Sequence, residues 1–111
     1  MARHSLVYIT APDPEEAARI GRMLVEKRLA GCVNVVPTIR SFYRWEGELQ
    51  EDSEALLFVK TRRELVPEVV AAVKATHPYQ VPAVLAVDVV EGNEDYLRWL
   101  DSECGHPGGG C

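Results

Sequence analysis

An imidazole, a thiol, an ammonium and a carboxylate stand out among the 111 residues as groups able to do chemistry. His77 is followed by Pro78 and Tyr79, so its ring sits where a helix must stop. A neutral imidazole there suits copper or zinc, although a cap or hydrogen bond at the helix end accounts for it equally. Cys32 borders an apolar strand and reads either as an inert buried thiol or as a sulfur donor to a metal. Lys60 ends an apolar run, where its stem can cover carbon while its ammonium pairs with Glu54 or Glu51 or recognises an anion. Tyr79 either presents its hydroxyl beside His77 or packs the loop between two prolines. Together these residues predict a polar cleft around His77, Tyr79, Lys60 and Glu54, with His77 and Cys32 as candidate metal ligands.

Other chemistries have less to stand on. Ser41, His77 and Asp88 are present, but their spacing carries no nucleophile-base signature. Asp52 and the glutamates 46, 48 and 51 form an acidic stretch without calcium-loop spacing and read as a hydrated tip. Cys32, Cys104 and Cys111 are odd in number and form no CxxC element, which disfavours a disulfide scaffold and a two-cysteine metallochaperone. The net charge of -5, without a basic stripe or glycine-rich phosphate loop, argues against nucleic acid and nucleotides. No apolar run reaches the ~18 residues of a membrane span, and no signal-type segment opens the chain, so the expectation is a cytoplasmic protein that does not engage membranes.

The elements that must position these groups follow from local pattern. A chain with 47% hydrophobic and 26% charged residues is an ordinary globular composition, and its length suits one domain over residues 1–103. Residues 104–111 read as a flexible, glycine-rich tail whose His106 and Cys111 can pick up a metal adventitiously. A strand is predicted over Ser5 to Thr10, then a helix with Asp13 as N-cap, Pro14 at N1 and Glu16 at N3. Ala17, Ile20, Gly21, Leu24 and Val25 form its buried stripe, and Gly31 is the expected C-cap.

Two long strands, Cys32 to Trp45 and Glu48 to Thr61, are predicted around an Glu46-Gly47 turn, with a bulge or bend near Pro37. A second helix begins near Glu64, with Leu65, Val69, Ala72 and Val73 inward. A strand over Ala83 to Val90 and a short helix capped by Asn93 complete the chain. The order β-α-β-β-α-β is the split pattern of a ferredoxin-like α+β sandwich, here with a long central hairpin and a short C-terminal helix. Such a hairpin exposes Phe42, Tyr43 and Trp45 unless another subunit covers them, so self-association is expected.

Several segments together resemble the CutA-type divalent-cation tolerance family. They are Gly31-Cys32-Val33-Asn34, the run from Pro37 through Ile39, Ser41, Tyr43 and Trp45 to Gly47, Glu54 through Thr61, His77-Pro78-Tyr79 with Val81-Pro82, and the closing Gly92, Tyr96, Trp99 and Leu100. The resemblance covers nearly the whole chain in order. It implies a compact homotrimer built by sheet-to-sheet pairing and a non-enzymatic role in tolerance of divalent metals, especially copper. Some members are described as binding copper through a cysteine before a Thr-Ala-Pro segment together with residues around His-Pro-Tyr. Here Ile9 stands before Thr10-Ala11-Pro12 and offers no donor, so soft-sulfur selection of Cu(I) is lost. Cu(II) held by His77 with carboxylate or backbone oxygen is then the chemically consistent expectation, with no obligatory cofactor. A small-ligand sensing or regulatory trimer is the alternative, and an acylphosphatase-like hydrolase a distant third on fold analogy alone.

Overall fold

The computed structural model describes residues 2–105. Strand β1 (His4–Ala11) leads into helix α1 (Pro14–Glu26), whose first turn is set as its sequence predicts. The Asp13 side chain accepts from the Glu16 N–H at 2.8 Å, and Pro14 occupies the first turn, where no intrahelical N–H is required. β2 (Cys32–Trp45) and β3 (Glu48–Arg62) form the long hairpin. A single 3₁₀ turn, Arg63–Leu65, precedes α2 (Val66–Thr76), and β4 (Val84–Val89) and α3 (Glu94–Glu103) follow.

The sheet has the order β2-β3-β1-β4 with every neighbouring pair antiparallel. One face carries Val7, Ile9 and Ala11 opposite Val59, Leu57 and Ala55. These residues are buried with Ala17, Ile20 and Leu24 of α1 and Val69 and Val73 of α2, forming the core. Val25, expected on that stripe, is exposed beside Val35 and Arg22 at the β2 edge. Leu65 leaves the α2 stripe and joins Leu100 and Cys104 in a second, smaller cluster. The opposite face of the sheet presents Tyr8, Phe58, Leu85 and Val87, with Leu85 63% and Val87 56% exposed.

β3 pairs with β1 only from Ala55 onward, so the hairpin outgrows the sheet by residues 48–54, roughly 20 Å of extended chain. The chain spans 47 Å along its longest axis against 26 and 22 Å across it. Glu46 and Gly47 both take positive φ, 50° and 83°, the backbone a two-residue hairpin turn requires. Between Val36 and Ile39 the register slips, so that Pro37 and Thr38 together oppose Ala55. This bulge falls where proline cannot donate to the ladder. Below it the even residues of β2 share a face with Leu56 and Phe58. Above it Ile39, Ser41, Tyr43 and Trp45 share the face of Glu54, Asp52, Gln50 and Glu48.

Gly31 is not the cap of α1. The helix ends at Glu26, and Arg28 takes the left-handed conformation at φ 60°. Gly31 is required by close approach instead: a Cβ there would lie 2.5 Å from Leu100 Cδ1. Arg28 holds the far end of the chain through three contacts. Its Nε donates to the Gly105 carbonyl and its Nη2 to that of Ser102, both at 3.0 Å, while its own carbonyl accepts from the Gly105 N–H at 2.7 Å. Cys104, assigned from sequence to a tail beginning at residue 104, is fully buried; residues 106–111 of that tail lie outside the described residues. No helix among the described residues is long and apolar enough to cross a membrane.

The clip separates two effects at one position. Arg28→Gly relieves the left-handed strain and loses the guanidinium contacts, whereas Arg28→Ala loses the contacts and keeps the strain. Urea unfolding should find both variants destabilised and the alanine variant the weaker of the two by about 1 kcal/mol.

Candidate functional site

The C-terminal end of α2 is held before the site begins. Arg19 of α1 donates through Nη1 to Thr76 Oγ1 at 2.6 Å and through Nη2 to the Thr76 carbonyl at 2.8 Å. It also forms a two-pronged pair with Glu16 at 2.8 and 3.1 Å. The paired guanidinium pulls the Glu16 carboxyl below its ordinary range. The next residue, His77, is thereby placed against β1.

His77 is buried and both ring nitrogens are occupied. Nε2 donates to the Thr10 carbonyl at 2.7 Å, and Nδ1 accepts from the Tyr79 N–H at 3.0 Å. This pair of partners selects the neutral Nε2–H tautomer and leaves no lone pair facing outward. The ring also lies 4.8 Å from that of Tyr79, tilted by 48°. His77 therefore pins the 77–82 loop to the sheet and orients Tyr79, and a metal could reach its ring only after one of these bonds broke.

Tyr79 reaches across to the hairpin, where its hydroxyl donates to Glu54 Oε2 at 2.8 Å. The Tyr43 hydroxyl makes the same kind of bond to Asp52, two residues along β3 on the same face. Burial and then the Glu54 carboxylate push the Tyr79 phenol far above its ordinary range, and the Asp52 carboxylate, ahead of burial, raises that of Tyr43. Both phenols thus stay protonated and donate. These pairs lie in a cavity of about 560 Å³ where the hairpin leaves the sheet. Tyr8 and Thr10 contribute its floor, Phe42 and Trp45 the hairpin side, and Val81 the loop side.

The predicted cleft is only partly assembled. His77, Tyr79 and Glu54 meet, but Lys60 does not join them. Six residues beyond Glu54 on the same face of β3, roughly 20 Å away, its ammonium stands 5.6 Å over the Tyr96 ring of α3. The acids expected to pair with it are engaged elsewhere, Glu54 with Tyr79 and Glu51 with Arg40. Cys32 is opposite Lys60 in the register, a free, partly buried thiol at the end of the sheet away from His77. Among the described residues, no three His, Cys, Asp or Glu side chains gather as a metal would require. Ile9, in the place of the expected cysteine, is fully buried in the core.

Asp52, read from sequence as part of a hydrated tip, proves to be a wall of the cavity, as do Tyr43 and Trp45. The two-residue turn contained this information, since it fixes Tyr43 opposite Gln50 and Ser41 opposite Asp52. A buried histidine outside the cavity, His4, bonds through Nε2 to Asp101 Oδ1 at 2.7 Å and ties α3 to β1. Nothing in its local sequence announced that contact.

A family profile described as "CutA1 divalent ion tolerance protein" matches residues 5–103. The chain belongs to the CutA1 family. A Thermus thermophilus relative, "Divalent-cation tolerance protein CutA", is 50% identical over 100 residues, covering 90% of this chain and 97% of the relative. Human "Protein CutA" is 46% identical over 96 residues, and the chain spans about half, 54%, of its length. The solved Thermus thermophilus protein, "Divalent cation tolerance protein (Cut A1)", superposes with a TM-score of 0.89 at 49% identity, covering 92% of this chain and 99% of that one. The general role of this CutA1 protein is thus in divalent-cation tolerance.

Two measurements test the wiring. Truncating His77→Ala orphans the Thr10 carbonyl and the Tyr79 N–H, at about 1–3 kcal/mol each where water cannot reach them, so chemical denaturation should show a clear loss of stability. Tyrosine ionisation, followed by ultraviolet absorbance in the wild type and in Tyr43→Phe and Tyr79→Phe variants, should show that Tyr43 and Tyr79 resist titration beyond about pH 10. The folded protein holds these protons more tightly than the unfolded chain does, so their contribution to stability is complete below about pH 10 and is lost as pH rises above it. Glu54→Gln should return Tyr79 only part of the way, because burial is the larger cause of its shift.

Proposed function

We propose that this CutA1 protein serves divalent-cation tolerance, copper included, as a cytoplasmic homotrimer, and that a divalent cation such as Cu(II) is engaged at a cleft between subunits. The observation that carries the proposal is the bare second face of the sheet. Leu85 and Val87 are more than half exposed there, and the same surface runs on into a hairpin that carries Trp45 at 51% exposed on that face and Phe42 at 60% and Leu49 at 73% on its other. A protomer of this size gains strongly from covering such an area, and three sheets laid face to face would do so. The cation belongs between chains in this reading because one protomer offers no three-donor group among its described residues. His77 then acts by holding the loop, and Cys32 is a thiol near the sheet end rather than its partner in a copper site.

Leu85→Lys places a charge on the bare face without touching the core. Sedimentation should move this variant from trimer toward monomer while circular dichroism stays unchanged. Calorimetric titration with Cu(II) and Zn(II) should give saturable binding to the assembled protein and none to the dissociated variant. A wild type that sediments as a monomer, or metal binding retained by the monomeric variant, would reject this reading.

A further inference from the structure

The cavity at the base of the hairpin combines two features that a divalent metal site does not need together. Its walls are largely aromatic, from Tyr8, Tyr43, Trp45 and Tyr79. Into the same space face two carboxylates, Glu54 and Asp52, each hydrogen-bonded to a phenol. Among the described residues neither acid takes part in an ion pair. Arg40, the cation that stands over the Phe42 ring at 5.5 Å, is paired with Glu51 instead. Phenol donors satisfy one oxygen of each acid and leave the negative charge in place.

A hard divalent ion asks for about six oxygens, and copper prefers nitrogen or sulfur, so two carboxylates suit neither alone. An ammonium group matches them better. Its N–H donors fit two acids roughly 7 Å apart along β3, and rings around it add cation-π attraction. The volume of about 560 Å³ lies within the range of small-molecule sites and leaves room for an apolar body against Trp45 and Val81.

We propose that this cavity binds a small organic primary amine, with its ammonium between Glu54 and Asp52 and its hydrocarbon or aromatic body against Trp45 and Val81. The two acids that hold the ammonium come from one protomer, so the amine does not depend on metal binding between subunits. The two assignments fail separately: loss of Cu(II) binding leaves the amine site standing, and loss of amine binding leaves the metal cleft standing.

The test is calorimetry on the intact full-length protein in its native assembly, with phenethylammonium chloride as probe and 2-phenylethanol as its uncharged counterpart. Saturable binding of the amine is expected, weaker by about tenfold or more for the alcohol and for an Asp52→Asn, Glu54→Gln double variant, since a charge-assisted hydrogen bond is worth at least that factor. Trp45→Leu, on the hairpin and remote from the core, should weaken the amine while leaving both acids in place and the sedimentation of the assembly unchanged. Equal affinity for amine and alcohol, or undiminished affinity in the double variant, overturns the proposal. Failure to saturate also overturns it and leaves the cavity to a side chain of a neighbouring copy.

Discussion

A two-residue turn controls more of this molecule than its size suggests. Glu46 and Gly47 both adopt positive φ, which commits Trp45 to face Glu48 and propagates one register along both arms as far as the bulge at Pro37 and Thr38. Because the arms are 14 and 15 residues long while β1 and β4 have 8 and 6, the pairing continues well past the sheet. The protruding half has no helix layer above it. Its aromatic side chains remain exposed, its acids line a cavity with the 77–82 loop, and the bare sheet face continues onto it without a step.

Below the hairpin, the protomer is tied together at its two ends by different means. At one end His77 uses both ring nitrogens to fasten a loop to β1, and Tyr79 carries the connection on to the hairpin. At the other, Arg28, His4 and the cluster of Leu65, Leu100 and Cys104 fasten α3. The histidine with the most suggestive neighbours in sequence is thus a structural link. What it orients, a phenol held protonated against a carboxylate, lies closer to binding chemistry than the imidazole itself.

Features decided by neighbours in sequence were legible in advance. Asp13, Pro14 and Glu16 start α1 as their side chains dictate, Glu46-Gly47 turns the hairpin, and Pro37 disturbs β2. The end of α1 was not legible, because Gly31 is needed for the approach of Leu100 from the last helix and an arginine takes the left-handed position. Lys60 was expected to pair with Glu54 or Glu51, and it shares a face of β3 with Glu54, yet alternation is blind to distance along the strand, and the two residues serve opposite ends. The meeting of His77, Tyr79 and Glu54 required the tertiary placement of the loop over the base of the hairpin.

The bulge at Pro37 and Thr38 works as a phase shift in the reading of β2. Below it the outward-facing letters are even-numbered, and above it they are odd, so the strand contains two alternating codes joined by one extra residue. Losing a single residue at that joint would leave Tyr43 and Trp45 on the face of the carboxylates, because the turn sets their pairing, and would merge the two codes into one unbroken alternation. Positions in the distal arm are therefore comparable among relatives when counted back from the turn, and positions in the body when counted from the other side of the joint, whatever the length of the joint between them.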